Sequence, residues 1–279
     1  MKRRDFLKAI GLALGTAYGL GIKSPKKVFG MQEDKEFMAI LVDTTRCVGC
    51  RSCEFACSQA HNLPQPPEGD EVFKTKRKMT VEQWMVVNRY ETEKGEFYVK
   101  RQCMHCNIPA CVAACLVKAM KKRGEGHVTW EENCMGCRLC MYSCPFDVPK
   151  FEYGSPIPKI QKCNLCHDRY VVGKIPACVE VCPTEALIFG TRRELLLEAK
   201  RRIAENPDRY IPHIYGEKEV GGTSYLYLAK VPFDQLGFRT DLENKPLPEY
   251  TTGFLYSVPF VLVLWPLFLL GLNRITKKE

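Results

Sequence analysis

Cysteine spacing constrains this chain more than any other feature. From position 134 the residues run Cys134-Met135-Gly136-Cys137-Arg138-Leu139-Cys140-Met141-Tyr142-Ser143-Cys144-Pro145, a C-x2-C-x2-C-x3-C-P pattern. Three thiolates at this interval let one tight loop wrap three irons of a cubane, while the fourth points toward a second centre. The closing proline restricts the backbone and starts a turn. The run therefore reads as a [4Fe–4S] binding sequence. A four-cysteine zinc site would instead show two separated C-x2-C knuckles.

Sixteen cysteines fall into four groups of four, with none left over. The first group is Cys47, Cys50, Cys53 and Cys57, and the second is Cys103, Cys106, Cys111 and Cys115. The third is the run above, and the fourth is Cys163, Cys166, Cys178 and Cys182, again followed by a proline. Four complete quartets imply four cubane clusters. An even count in an exported chain also fits a disulfide scaffold, but the spacing and the length of 279 residues oppose it. Cys163-Asn164-Leu165-Cys166-His167 matches the C-x-x-C-H signature of c-type haem attachment. That use would orphan Cys178 and Cys182.

The formal charge of +9 is concentrated at the ends. Residues 1–30 carry +6 and the tail after Leu272 carries +2, which leaves +1 for everything between. The body is nearly neutral, so nucleic acid is not expected as a partner.

Residues 1–30 read as an export signal. Lys2-Arg3-Arg4-Asp5-Phe6-Leu7-Lys8 resembles the twin-arginine motif, and the weakly apolar stretch from Ala9 to Ile22 is broken by glycines. A cut after Gly30 would release the mature chain; an uncleaved anchor helix is the alternative. The stretch is too short to span a bilayer. Clusters are inserted where thiols stay reduced, and the twin-arginine route carries folded cargo, so the two features support each other.

Along the body, Met38 to Val42 predicts a buried strand leading into the first cluster loop, with a helix over 54–62 carrying Cys57. Residues 81–100 predict a hairpin turning at Glu93-Lys94-Gly95, either a solvated flap or a docking element. Gly126 to Trp130 and Ala186 to Gly190 read as strands, and Arg192 to Glu205 as a surface helix with solvated arginine pairs. Tyr225 to Leu228 suggests one more strand, and the proline-bearing residues 232–252 a linker. Phe254 to Leu272 has 19 residues without a charge, about 28 Å as a helix, enough for a membrane core. Arg274, Lys277 and Lys278 follow, and the positive-inside rule puts this C-terminus in the cytoplasm. The body then lies at the periplasmic face, with membrane lipid around the anchor.

The expected fold class is α+β: two nested ferredoxin-like modules, each for two [4Fe–4S] clusters, with an inserted hairpin and one C-terminal transmembrane helix. Its parts are a signal at 1–30, a four-cluster domain at 31–200, a docking arm or linker at 201–252, a transmembrane helix at 253–273 and a basic tail at 274–279. In two-cluster ferredoxins the fourth cysteine of each run ligates the other cluster. The second and third quartets form a compact inner module, which leaves the first to pair with the fourth. The expected ligand sets are Cys47, Cys50, Cys53 and Cys182; Cys57, Cys163, Cys166 and Cys178; Cys103, Cys106, Cys111 and Cys144; and Cys115, Cys134, Cys137 and Cys140. His105 and His167 sit inside cluster loops as packing groups or donors to sulfur. No nucleophile motif, phosphate loop or dinucleotide fingerprint is present, so no catalytic residue is expected.

Four ferredoxin quartets in this order resemble the four-cluster electron-transfer subunits of membrane-bound respiratory oxidoreductases, such as formate dehydrogenase, dimethyl sulfoxide reductase, polysulfide reductase and hydrogenase complexes. The resemblance covers roughly residues 38–230 and supports the ligand pairing above. A twin-arginine signal combined with a single C-terminal helix is most similar to the hydrogenase-2 type. So are Lys100-Arg101-Gln102-Cys103-Met104-His105-Cys106, Gly190-Thr191-Arg192, and Tyr215-Gly216-Glu217-Lys218-Glu219 through Gly221-Gly222-Thr223. The resemblance implies a non-catalytic subunit that takes electrons from the small subunit of a nickel–iron hydrogenase. It would pass them to an integral membrane, quinone-reactive subunit. The same wire serving a molybdopterin catalytic subunit is the alternative, and a zinc-binding assembly scaffold is a third possibility.

Overall fold

The computed structural model describes residues 36–276, so the expected signal at 1–30 lies outside the described residues. Described residues up to Tyr250 form one compact unit, and those from Thr251 onward belong to another. In chain order the elements are β1 (Met38–Asp43), α1 (Ser52–Ala60), β2 (Val86–Thr92), β3 (Gly95–Arg101), α2 (Ala110–Ala113), β4 (Met120–Lys122), β5 (Val128–Trp130) and α3 (Leu139–Tyr142). Then come β6 (Lys150–Phe151), β7 (Ile160–Gln161), α4 (His167–Val171), α5 (Ala177–Glu180), β8 (Leu187–Thr191), α6 (Arg192–Glu205), β9 (Tyr225–Leu228) and α7 (Leu247–Thr276).

The unbroken apolar run of β1 has a simple cause. This strand is central in the sheet β8-β1-β9, antiparallel to β8 and parallel to β9. Both its faces are covered. Ala39 and Leu41 pack with Leu195, Ala199, Tyr210, Leu226 and Leu228. Ile40 and Val42 face the other way, onto Leu187, Tyr225, Tyr227 and Phe238. Side chains alternate with period two, so a strand buried on both sides needs apolar residues at every position. Each of Ile40, Leu41 and Val42 contributes about 1.5–3 kcal/mol by burial.

Helix α6 begins with a capping arrangement in which the Thr191 hydroxyl accepts the Glu194 amide and donates to the Glu194 carboxylate. Its buried positions Leu195, Ala199 and Arg202 follow a helical interval. Arg202 and Arg192 are not solvated, contrary to the expectation for the arginine pairs. Arg202 pairs with buried Asp43 at 3.0 Å, and Asp43 also accepts the Tyr210 hydroxyl at 2.7 Å. Arg192 donates to the carbonyls of Thr223, Gly216 and Glu217.

Residues 201–252, expected as a docking arm or linker, are in large part packed into the body. Through Phe238 they supply core: β9 lies beside β1, and Tyr215, Tyr227, Phe233 and Phe238 form one aromatic cluster with ring centroids 4.6–6.4 Å apart. These aromatics are spaced irregularly because they fill a single volume rather than one face of a helix or strand. Pro232, between Tyr227 and Phe233, opens a turn within the core, its carbonyl accepting the Gln235 amide.

The hairpin β2-β3 is not a solvated flap. Its tip at Glu93 to Gly95 is exposed, but Val86, Val87, Val99 and Lys100 at its base are buried. It is tied to α1 through Glu54, which is 2 % exposed. The Glu54 carboxylate accepts from Arg51 at 2.9 Å, from Arg77 at 2.5 Å and from the Val87 amide at 2.5 Å. Replacing Glu54 by alanine leaves two arginines without their counter-charge. It is expected to cost about 3–5 kcal/mol, read as a lowered Tm of the cluster-loaded protein. An unchanged Tm would show the network to be dispensable.

In the other unit, α7 runs through Pro259 and Pro266. Leu247 to Arg274 is long and apolar enough to cross a membrane, with a mean hydropathy of 2.1 over its most apolar 18 residues. Phe260, Leu262, Leu264, Trp265, Leu267 and Leu270 are all exposed. Each proline lacks an N–H, so the carbonyls at 255 and 262 lose their usual helical donor.

Candidate iron-sulfur site

The first and third cysteine loops share one backbone shape. Gly49 and Gly136 both have φ of +72°, and Arg51 and Arg138 have φ of +61° and +60°. These reversals curl the loop so that successive cysteines face one centre. At Gly49 a side chain would also strike the Tyr98 ring of β3, whereas at Gly136 the nearest ring atom, of Phe151, is 3.6 Å away. The turn demands glycine at both positions; close packing demands it only at Gly49. Between their first two cysteines the second and fourth loops have no glycine, and His105, Leu165 and Cys166 adopt positive φ instead.

All sixteen thiols are free, and all except Cys50 and Cys137 are buried or half-buried. Their neighbours divide them into groups. Cys47 lies beside Cys182, Cys50 and Cys53. Cys57 lies beside Cys163, Cys178 and Cys166. Cys106 lies beside Cys144, Cys111 and Cys103. Cys140 lies beside Cys134, Cys115 and Cys137. These groups act on one another electrostatically in sequence. Cys53 is near Cys178, Cys103 is near Cys163, and Cys111 is near Cys140. The result is a row of four, with exposed Cys50 in the first group and exposed Cys137 in the last.

The thiols fit a soft metal centre. Burial pushes Cys47 and Cys140 up to about 11, with neighbouring cysteines adding to the shift. Burial acts first on Cys57 too, then Cys163, Cys178 and Cys166, and its thiol lies well above the ordinary range. Four buried thiols close together resist ionisation alone. Bound iron would supply the compensating charge, and its loading would release protons. The sulfurs also have donors in place. The Leu165 amide donates to Cys163, Gly136 to Cys134 and Met120 to Cys115, each at 3.4 Å.

His61 also reaches sulfur. Its Nε2 lies 3.4 Å from the Cys166 Sγ, and its ring stacks on Trp84 at 4.7 Å. Against a metal-bound thiolate this nitrogen must donate. Burial lowers its pKa, partly opposed by Asp168. His61 follows Cys57 by one helical turn, a spacing that marks it in hindsight. His105 accepts the Val128 amide at 2.9 Å, and His167 stacks near buried His127 at 5.1 Å. Two lysines are buried among the cysteines. Lys100 donates to Gln102 at 2.9 Å, and Lys162 to the carbonyls of Cys163, at 2.9 Å, and Val128. Burial opposes charge on Lys100, but Cys178, Cys53 and Cys163 outweigh it and hold its pKa above the usual lysine value.

Comparison with known proteins agrees with this chemistry. Residues 95–192 match a 4Fe-4S dicluster domain. A protein of Nitratidesulfovibrio vulgaris strain Hildenborough is 44 % identical over the whole chain and 78 % of its own length. The hydrogenase-2 operon protein HybA of Escherichia coli O157:H7 is 36 % identical over 85 % of this chain and 83 % of its own. The iron-sulfur subunit of the nitrate-inducible formate dehydrogenase of Escherichia coli K12 is 34 % identical over 71 % and 70 %. Grouped free thiols, sulfur-directed donors and these relatives together lead to one assignment: the chain belongs to the family of [4Fe–4S] electron-transfer subunits that includes HybA and the formate dehydrogenase iron-sulfur subunits.

Proposed function

We propose that this chain carries four [4Fe–4S] clusters on its sixteen cysteines and is a conduit rather than a catalyst. The ligand sets are Cys47, Cys50, Cys53 and Cys182; Cys57, Cys163, Cys166 and Cys178; Cys103, Cys106, Cys111 and Cys144; and Cys115, Cys134, Cys137 and Cys140. The observation that carries this reading is the division of the thiols into four neighbouring groups in a row. When bound, such clusters each take up and release one electron at a time. The protein's part is to orient the thiolates, keep water from the inner groups and direct peptide and imidazole N–H groups at sulfur. Such contacts tune the potential. Cys50 and Cys137 mark the two exposed ends, where partners exchange electrons.

The catalytic partner in this reading is a periplasmic nickel–iron hydrogenase with its small and large subunits, and the acceptor is an integral membrane quinone-reactive subunit. Similarity to HybA along most of both chains supports it. The similarity to formate dehydrogenase subunits favours a second reading, with a molybdopterin enzyme in place of the hydrogenase. Helix α7 anchors the chain from the periplasmic side, with the basic C-terminus in the cytoplasm, in keeping with Arg274, Lys277 and Lys278 after the apolar run. The test is gentle detergent purification of the native complex, with every chain and metal identified. Nickel with hydrogenase subunits supports the first reading. Molybdenum or tungsten with a pterin enzyme overturns it in favour of the second.

A further inference from the structure

We propose that Lys100 and Lys162 are electrostatic positioning residues, one at each of two successive junctions in the row of cysteine groups. They raise the reduction potentials of the clusters on either side. The inference rests on the four-cluster reading above and goes beyond it by naming residues that set the potentials.

Both lysines are deeply buried, at 2 % and 4 % exposure. Neither has a carboxylate partner among the described residues. The Lys100 ammonium meets only neutral groups, the Gln102 amide at 2.9 Å and the Tyr225 ring at 4.8 Å. The Lys162 ammonium meets two backbone carbonyls. A buried cation without a carboxylate is costly unless another negative charge compensates it. The thiolates are that charge.

Their placement is specific. Lys100 acts on Cys47 and Cys53 of the first group and on Cys57 and Cys178 of the second. It therefore stands at their junction, where Cys53 nears Cys178. Lys162 acts on Cys103, Cys111 and Cys144 of the third group, while its ammonium bonds the carbonyl of Cys163 in the second. It stands at the next junction, where Cys103 nears Cys163. At the last group the principal charges acting on Cys140 are those of Cys134, Cys115 and Cys137, with no lysine among them.

Reduction adds one electron to a cluster and makes it one unit more negative. A fixed positive charge in a low-dielectric interior favours that reduced form. An ammonium shared by two clusters also offsets the repulsion between electrons held on both. The device keeps the first three groups easier to reduce than their burial alone would make them.

The test is a redox titration of the cluster-loaded full chain in detergent, followed by electron paramagnetic resonance, with iron counted per chain. Lys100→Met is expected to lower two of four midpoints, each by at least a tenfold change in the reduced-to-oxidised ratio at fixed potential, or 59 mV for a one-electron couple. Lys162→Met should lower two midpoints, one of them shared with the first variant. Lys100→Gln and Lys162→Gln, which keep a hydrogen-bonding head, should shift the same midpoints and guard against a methionine variant that assembles poorly. Lys200→Met, at an exposed ion pair with Glu217 on α6, should shift none. Variants with full iron and unmoved midpoints overturn the inference, as does an equal shift of all four. A parent protein lacking four cubane signals overturns instead the reading on which it rests.

Discussion

Alanine at Cys163 is expected to remove one cluster and cut the row in its second position. Iron should fall from about sixteen to about twelve atoms per chain, at four per cubane. The loss of metal affinity at that group should exceed the roughly 10–100-fold that follows from changing an outer-sphere partner. Electron flow from one end to the other should collapse with it, because Cys163 is the neighbour that brings the second group to Cys103 of the third. The same variant tests the haem signature at Cys163 to His167. A covalently bound haem would disappear from a denaturing gel, whereas a cluster ligand leaves no such stain in the parent and a deficit of iron and sulfide in the variant. Full iron content in the variant would refute the ligand assignment.

Ending the chain after Pro246 is expected to release it from the membrane. More than ten large apolar side chains of α7 are exposed, among them Phe254, Leu255, Phe260, Leu262, Trp265 and Leu270. At about 1.5–3 kcal/mol for each, their transfer into lipid is worth on the order of 20 kcal/mol. The full chain should resist alkaline washing of membranes, and the truncated one should appear in the soluble fraction. Its iron content should be unchanged, because the cysteines all lie in the compact unit that ends at Tyr250. A truncated chain that still sediments with membranes would assign the attachment to partner subunits instead.

The features readable beforehand are those whose cause is local. A cubane imposes its own cysteine spacing, so the binding loops are visible in the letters alone. The strand Met38–Asp43 announces itself by an unbroken apolar run, and the helix Arg192–Glu205 by composition and by Thr191 and Glu194 at its start. What stayed hidden depends on partners distant in sequence. Nothing near Lys100 says that the charges of Cys53, Cys163 and Cys178 act on its ammonium. Arg192 and Arg202 look like solvent-facing charges until Thr223 and Asp43 are brought to them. The aromatics from Tyr215 to Phe238 have no periodicity because they converge on one volume. Pro232, Pro246 and Pro248, with little periodicity around them, suggested a linker over 232–252.

The position of β1 in its sheet has a consequence for biogenesis. Met38 to Val42 pair with Leu187 to Thr191, and Ile40 to Asp43 with Tyr225 to Leu228. A nascent chain thus displays this apolar strand, both edges unpaired, until most of the polypeptide has left the ribosome. The short hairpins β4-β5 and β6-β7, and the contact between α2 and α3, need only nearby residues and can close much earlier. Assembly accordingly proceeds from the middle of the chain outward. For that interval β1 is an aggregation hazard of the kind that chaperones shield. Its closure reports that the chain has been made through β9.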